Sequence, residues 1–181
     1  MVRQRAKDLG DGIRWGNGTE SKVGAMNKKL KLRAEDEEDM RVVSACLQDA
    51  LIAVGDIKYM PDDHRFVLIA NRFCWETVPC EDTSELADGD CFERVHTGLR
   101  FENVIAVRHR GIDKLDAAEL LELLAIQADG QALLLVFAGN AAIRIETSQP
   151  LCFVEDLDEP WPTKWRPHHG VEDSEGQARG N

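Results

Sequence analysis

From Asp36 to Val54 the apolar residues return at steps of three and four. Met40, Val43, Leu47, Ala50, Leu51 and Val54 share one stripe, while Glu37, Glu38, Arg41, Ser44 and Gln48 take the opposite side. This spacing predicts an amphipathic helix. Asp36 suits its N-cap, the acids through Asp39 suit the positive end of the helix dipole, and Gly55 supplies a stop. The acidic run Glu35 to Asp39 therefore needs no ligand to explain it.

After Gly55 the period shortens to two. Asp56 to Met60 and Arg65 to Trp75 read as a hairpin, since Pro61-Asp62-Asp63-His64 favours a turn. Val95, Leu99, Phe101, Ile105 and Val107 alternate with Arg100, Glu102 and Arg108, which predicts one long strand with a wet face. A meander follows: Leu120 to Ala128, a turn at Asp129-Gly130, Ala132 to Ala138, a turn at Gly139-Asn140, and Ala141 to Thr147. Leu151 to Leu157 is a further strand. The stretch Asp116 to Ala128 also satisfies a helical period; the expectation is helix or turn at its start and strand after Leu121. Trp161 and Trp165 are expected to pack their indoles on the sheet edge.

The fold class that results is α+β: a mainly antiparallel sheet of about six to eight strands, meander or roll, packed with one N-terminal helix. It occupies residues 30–167 as a single domain. Residues 1–29 hold five glycines and no apolar period and read as a disordered extension, with Met26 a candidate natural start; residues 168–181 read as a disordered tail. Residues 79–93 hold six acids and no base and read as a solvated loop or flap.

Composition narrows the function classes. The chain has 181 residues, 43% hydrophobic and 30% charged, enough for one buried core. No apolar run is long enough to span a bilayer and no secretory h-region is present, so the expected location is the cytoplasm. The formal charge of −11 divides as +4 over residues 1–29, −13 over 30–167 and −2 over the tail. An acidic domain without a basic stripe argues against nucleic acid and against an anionic membrane surface as partners. Cys46, Cys74, Cys80, Cys91 and Cys152 form no CxxC pair, and His64, His96, His109, His168 and His169 do not complete a metal set, so neither a metal nor another cofactor is expected. Cys46 and Cys152 read as core side chains, Cys80 and Cys91 as flanking a polar loop.

Several separated patches resemble one family. Leu30 to Trp75 carries Leu-Lys-Leu, Asp36, Glu38-Asp39, Leu47-Gln48-Asp49-Ala50, Val54-Gly55-Asp56 and Asn71-Arg72-Phe73-Cys74-Trp75. Downstream stand Leu99-Arg100-Phe101, Ala106-Val107-Arg108, Arg110-Gly111-Ile112-Asp113, Leu123-Leu124-Ala125-Ile126, Phe137-Ala138-Gly139 and Ala142-Ile143-Arg144. Together they resemble the bacterial family DUF2948 over about residues 30–167. The resemblance implies membership and carries over no activity, substrate or site; the segment before Met26 departs from the family's usual beginning.

No G-x-S-x-G elbow, P-loop or G-x-G-x-x-G is present, which weighs against the common acyl-transfer and nucleotide chemistries. The candidate ligand or partner site is a set of polar residues set oddly in their elements: Arg72, Trp75, Arg100, Arg108, Arg110 and Asp113. Guanidinium forks suit a carboxylate or phosphate. Against this, Arg100 and Arg108 share strand parity and are equally the wet face of one strand, paired with Glu102 and Glu122. On a straight strand they would stand roughly 26 Å apart, too far for one small anion. Two function classes follow. One is a non-catalytic binding or regulatory module that meets a protein or small acidic ligand through a sheet face. The other is a small enzyme with Asp49, Asp56, Asp113 or His109 as acid or base and Arg100 and Arg108 as the anion holder.

Overall fold

The one α-helix among the described residues, α1, runs Glu37–Cys46. Asp36 caps it from extended backbone, its Oδ1 accepting from the Asp39 N–H at 2.8 Å, with three acids in the first turn. The helix stops earlier than its apolar stripe predicts. Leu47 closes the last turn, Asp49 turns the chain at φ 61°, and its N–H donates to the Leu123 carbonyl at 2.9 Å. Ala50 and Ile52 then bury at a spacing of two, and the backbone of Ala50–Ala53 pairs with a strand. A stripe of Leu47, Ala50 and Leu51 fits either period, and ladder hydrogen bonds decide it.

The computed structural model describes residues 29–77, 92–113, 115–165 and 167. Cys80, Cys91, most of the acidic loop, the N-terminal extension up to residue 28 and the tail lie outside them. Within them are eleven strands: β1 Lys31–Ala34, β2 Ala50–Ala53, β3 Ile57–Met60, β4 Arg65–Phe73, β5 Phe92–Phe101, β6 Val104–Arg110, β7 Leu120–Asp129, β8 Ala132–Phe137, β9 Ala142–Thr147, β10 Cys152–Asp156 and β11 Trp161–Thr163. The fold is thus a mainly antiparallel sheet with one helix, with more strands than the six to eight expected, because short segments such as β1, β2 and β11 carry too little alternation to declare themselves.

The strand order is β1-β10-β5-β4-β2-β7-β8-β9-β6, with β3 beside β4 and β11 beside β5. Phe66, Leu99, Leu123, Leu135, Ile145 and Val154 come from six strands and share one core with Met40, Val43 and Leu47 of α1, so the sheet curls around a single interior. Its β6 end comes round to β3: the Val104 N–H donates to the His64 carbonyl at 2.8 Å and the Tyr59 hydroxyl donates to the Ile105 carbonyl at 3.1 Å. Where β2 ends, α1 takes over its place beside β7, and Ser44 Oγ accepts from the Ile126 N–H at 2.8 Å. The ambiguous stretch resolves as expected, a turn over 115–118 and then strand.

Two further expectations are corrected. The long strand through Val95 and Val107 is two strands, broken at Asn103, where φ is 60°. β5 pairs with β4 and β10, whereas β6 pairs with β9, so Arg100 and Arg108 lie in different parts of the sheet. Of the two indoles, Trp161 pairs in β11 and packs on His96 with ring centres 4.5 Å apart, but Trp165 is 82% exposed, because the chain leaves the sheet after Thr163.

Candidate functional site

Alternation on β4 turns Phe66, Leu68, Ala70 and Arg72 inward, and the same parity places Thr97 and Asp156 inside from β5 and β10. Arg72 is 2% exposed. Its Nε and Nη2 donate to the Asp156 carboxylate at 2.9 and 2.7 Å, and Nη1 and Nη2 donate to Glu76 at 3.1 and 2.8 Å. Asp156 also accepts from the Thr97 hydroxyl at 2.7 Å and the Leu30 N–H at 2.8 Å. Burial works against both charges, but the hydrogen bonds outweigh it: Arg72 is held protonated well above its ordinary range and Asp156 is held below the usual carboxylate range. The anion that Arg72 binds is thus inside the chain. Trp75 follows three residues on, its ring tilted at 55° to that of Phe73 with centres 4.5 Å apart and its Nε1 donating to the Gln48 carbonyl at 3.3 Å.

Nearby lies a charged residue that strand reading passes over. Arg94 is 9% exposed, donates to the Asn71 carbonyl at 3.0 Å and lies 5.7 Å from the Phe73 ring centre. Burial lowers its pKa, with the charges of Asp49 and Glu122 opposing that. Burial pushes the Cys74 thiol up to about 11 and raises those of Cys152 and Cys46. Cys152 is fully buried, as expected; Cys46 is half-buried.

The remaining candidates separate. Arg108 sits opposite Arg144 across β6 and β9, and both approach Glu146, so its partner is Glu146 and not Glu122. Arg110 ends β6 exposed. Asp113 is a turn residue: its Oδ1 accepts from the Leu115 N–H at 2.9 Å, and its own N–H donates to Glu119 at 3.1 Å. His109 faces a hollow between β3 and β6, whereas Asp56 and Arg100 line a different hollow on the outer face of β1, β10, β5 and β4. Asp49 is buried at the turn into β2.

The outer hollow has a volume of about 570 Å³. Register sets Arg33, Phe153 and Arg100 side by side across β1, β10 and β5. The guanidinium carbons of Arg33 and Arg100 lie 5.7 and 4.7 Å from the one Phe153 ring centre. Arg100 spends its Nε on Glu102 at 2.9 Å, and Glu102 also takes Arg65 at 3.0 Å, while Arg33 pairs with Glu35. Both arginines remain about half exposed. Lys31 pairs with Glu155 on the same face at 3.0 Å. The arrangement can hold a carboxylate or phosphate by guanidinium forks beside an aromatic ring. Arg33 and Phe153 were not legible as partners of Arg100, because the β1–β10 and β10–β5 pairings are long-range; the alternation of Lys31 and Arg33 was the available signal.

Among the described residues, no three His, Cys, Asp or Glu side chains gather to hold a metal, and no helix is long and apolar enough to cross a membrane. No curated protein and no solved structure matches the chain. A family model does: DUF2948, described as a protein of unknown function, matches residues 30–169, and the chain belongs to that family.

Proposed function

We propose that this chain is a non-catalytic binding module whose partner is an acidic protein segment received on the outer face of β1, β10, β5 and β4. The observation that carries this is the row Arg33–Phe153–Arg100, two half-exposed guanidiniums gathered on one ring in an otherwise acidic protein. Stacking on Phe153 limits the rotamers of both arginines, so less side-chain entropy is lost when a carboxylate docks. Arg33 and Arg100 are two strand spacings apart, about 10 Å at the backbone, which suits two acidic side chains of an extended segment. The hollow is broad, shared by four strands and open to solvent, a shape for a chain rather than for a small substrate. The candidate acids and bases do not converge, with Asp56 on this face and His109 on another, which favours binding over acid–base chemistry.

Titration with a fluorescent hexaglutamate peptide tests it. Salt-sensitive binding that is lost in R33Q/R100Q and kept in R108Q is expected; binding that survives R33Q/R100Q, or none at low salt, would refute the proposal.

A further inference from the structure

The curled sheet does not close on itself. Between β3 and β6 the two strand edges stand apart, and the gap leads to a cavity of about 380 Å³. Its floor is the core, Phe66 and Ile143, both nearly inaccessible. Ile57 and Tyr59 line it from β3, and Val107 and His109 from β6. One end is closed by the Tyr59 hydroxyl on the Ile105 carbonyl and by the His64 carbonyl on the Val104 N–H. Val54 and Ile112 line it beyond Ile57 and Val107.

We infer that this cavity is a binding site for a small, mainly apolar molecule carrying one hydrogen-bonding group. Four observations determine the class. Six of the eight lining side chains are Val, Ile or Phe, and His109 and the Tyr59 hydroxyl are the polar ones, so the body of the ligand is apolar and its polar end is met by these two groups. Half-buried Val54, Ile57, Tyr59, Val107 and Ile112 pack on the core without completing it, so an apolar occupant removes their remaining surface from water. The volume is within the range of small-molecule sites; scaled from the roughly 150 Å³ that accommodates benzene, it takes on the order of 15 non-hydrogen atoms. The bridge from Tyr59 to Ile105 blocks the gap, so an extended peptide cannot run along both edges. Tyr59 donates its proton to Ile105 and keeps its lone pairs, and His109 is exposed at the mouth; these are the groups that meet the ligand's polar end.

This site is separate from the acidic-partner face and does not depend on it. Naphthol and naphthalene serve as probes, read by amide chemical-shift changes on the full chain. Saturable binding of both is expected, with shifts concentrated at Ile57, Val107 and Ile112. V107F, which fills the cavity, should weaken both at least tenfold, and I112F provides the same block should V107F fail to fold. H109A should weaken naphthol roughly fivefold, the order of one lost hydrogen bond, and leave naphthalene unchanged. Absence of saturable binding, shifts elsewhere, or undiminished binding in a folded cavity-filling variant overturns the inference.

Discussion

Arg72 and Asp156, 84 residues apart in sequence, form a two-pronged ion pair on the inner face of the sheet at 2.9 and 2.7 Å. Each side chain is 3% exposed or less. This pair ties β4 to β10 across β5, whose Thr97 hydroxyl joins it at 2.7 Å. It therefore braces the strands that carry Arg33's neighbour Phe153, with the guanidinium and the carboxylate both bonded to groups inside the chain.

Asp156→Ala should cost about 3–5 kcal/mol of stability, since it leaves the Arg72 guanidinium buried with only Glu76 as counter-charge. Replacing both partners with apolar residues, R72M/D156L, should recover most of that loss. Urea unfolding of the single and double variants checks it; a double variant as unstable as Asp156→Ala would mean that the pair itself, and not the uncompensated charge, carries the stability.

The same pair sets an acid limit. Folding lowers the Asp156 pKa, so the unfolded chain holds the proton more tightly. The stabilisation is therefore fully present above the ordinary Asp value of about 3.9 and is lost as pH falls through the lower folded value. The difference in unfolding free energy between the native chain and D156N should be flat from pH 8 to about pH 5 and shrink below about pH 4. A difference that changed between pH 6 and 8 would assign the effect to another group.

Much of the fold was legible because its signals are local. The Asp36 cap, the turn at Pro61–His64 and the alternation of β7, β8 and β9 each act over a few residues. What was hidden is long-range or doubly encoded. Residues 47–51 satisfy both periods, and only the backbone of β7 selects strand. Val95, Leu99, Phe101, Ile105 and Val107 keep one parity across Asn103, which conceals the break between β5 and β6; its trace is the unbroken apolar run Val104-Ile105-Ala106-Val107, of which the structure buries Val104 and leaves Ile105 60% exposed. Arg72 was legible in principle: it shares parity with Phe66 and Leu68, which marks it as inward and in need of an internal acid. The partners of Arg100 depend on the register of β1 with β10 and of β10 with β5, which no local rule specifies.

Gly111 has φ +65°, and a Cβ there would come within 3.1 Å of the Ala141 Cα and 3.2 Å of the Asn140 carbonyl oxygen. Gly130 has φ +59° with open space around it. Gly130→Ala should therefore cost only the left-handed backbone term, about 1–2 kcal/mol, and Gly111→Ala more than that. Thermal unfolding of the two variants compares them directly, and equal losses would show that the approach of Ala141 relaxes without cost.

The most direct test of the acidic-partner account is to map, by amide chemical shifts on the full chain, where hexaglutamate binds. The account predicts saturable shifts confined to β1, β10, β5 and the adjoining part of β4, centred on Arg33, Phe153 and Arg100 and suppressed by added salt. Shifts centred instead on Arg108 and Arg144, or none at low salt, would contradict it.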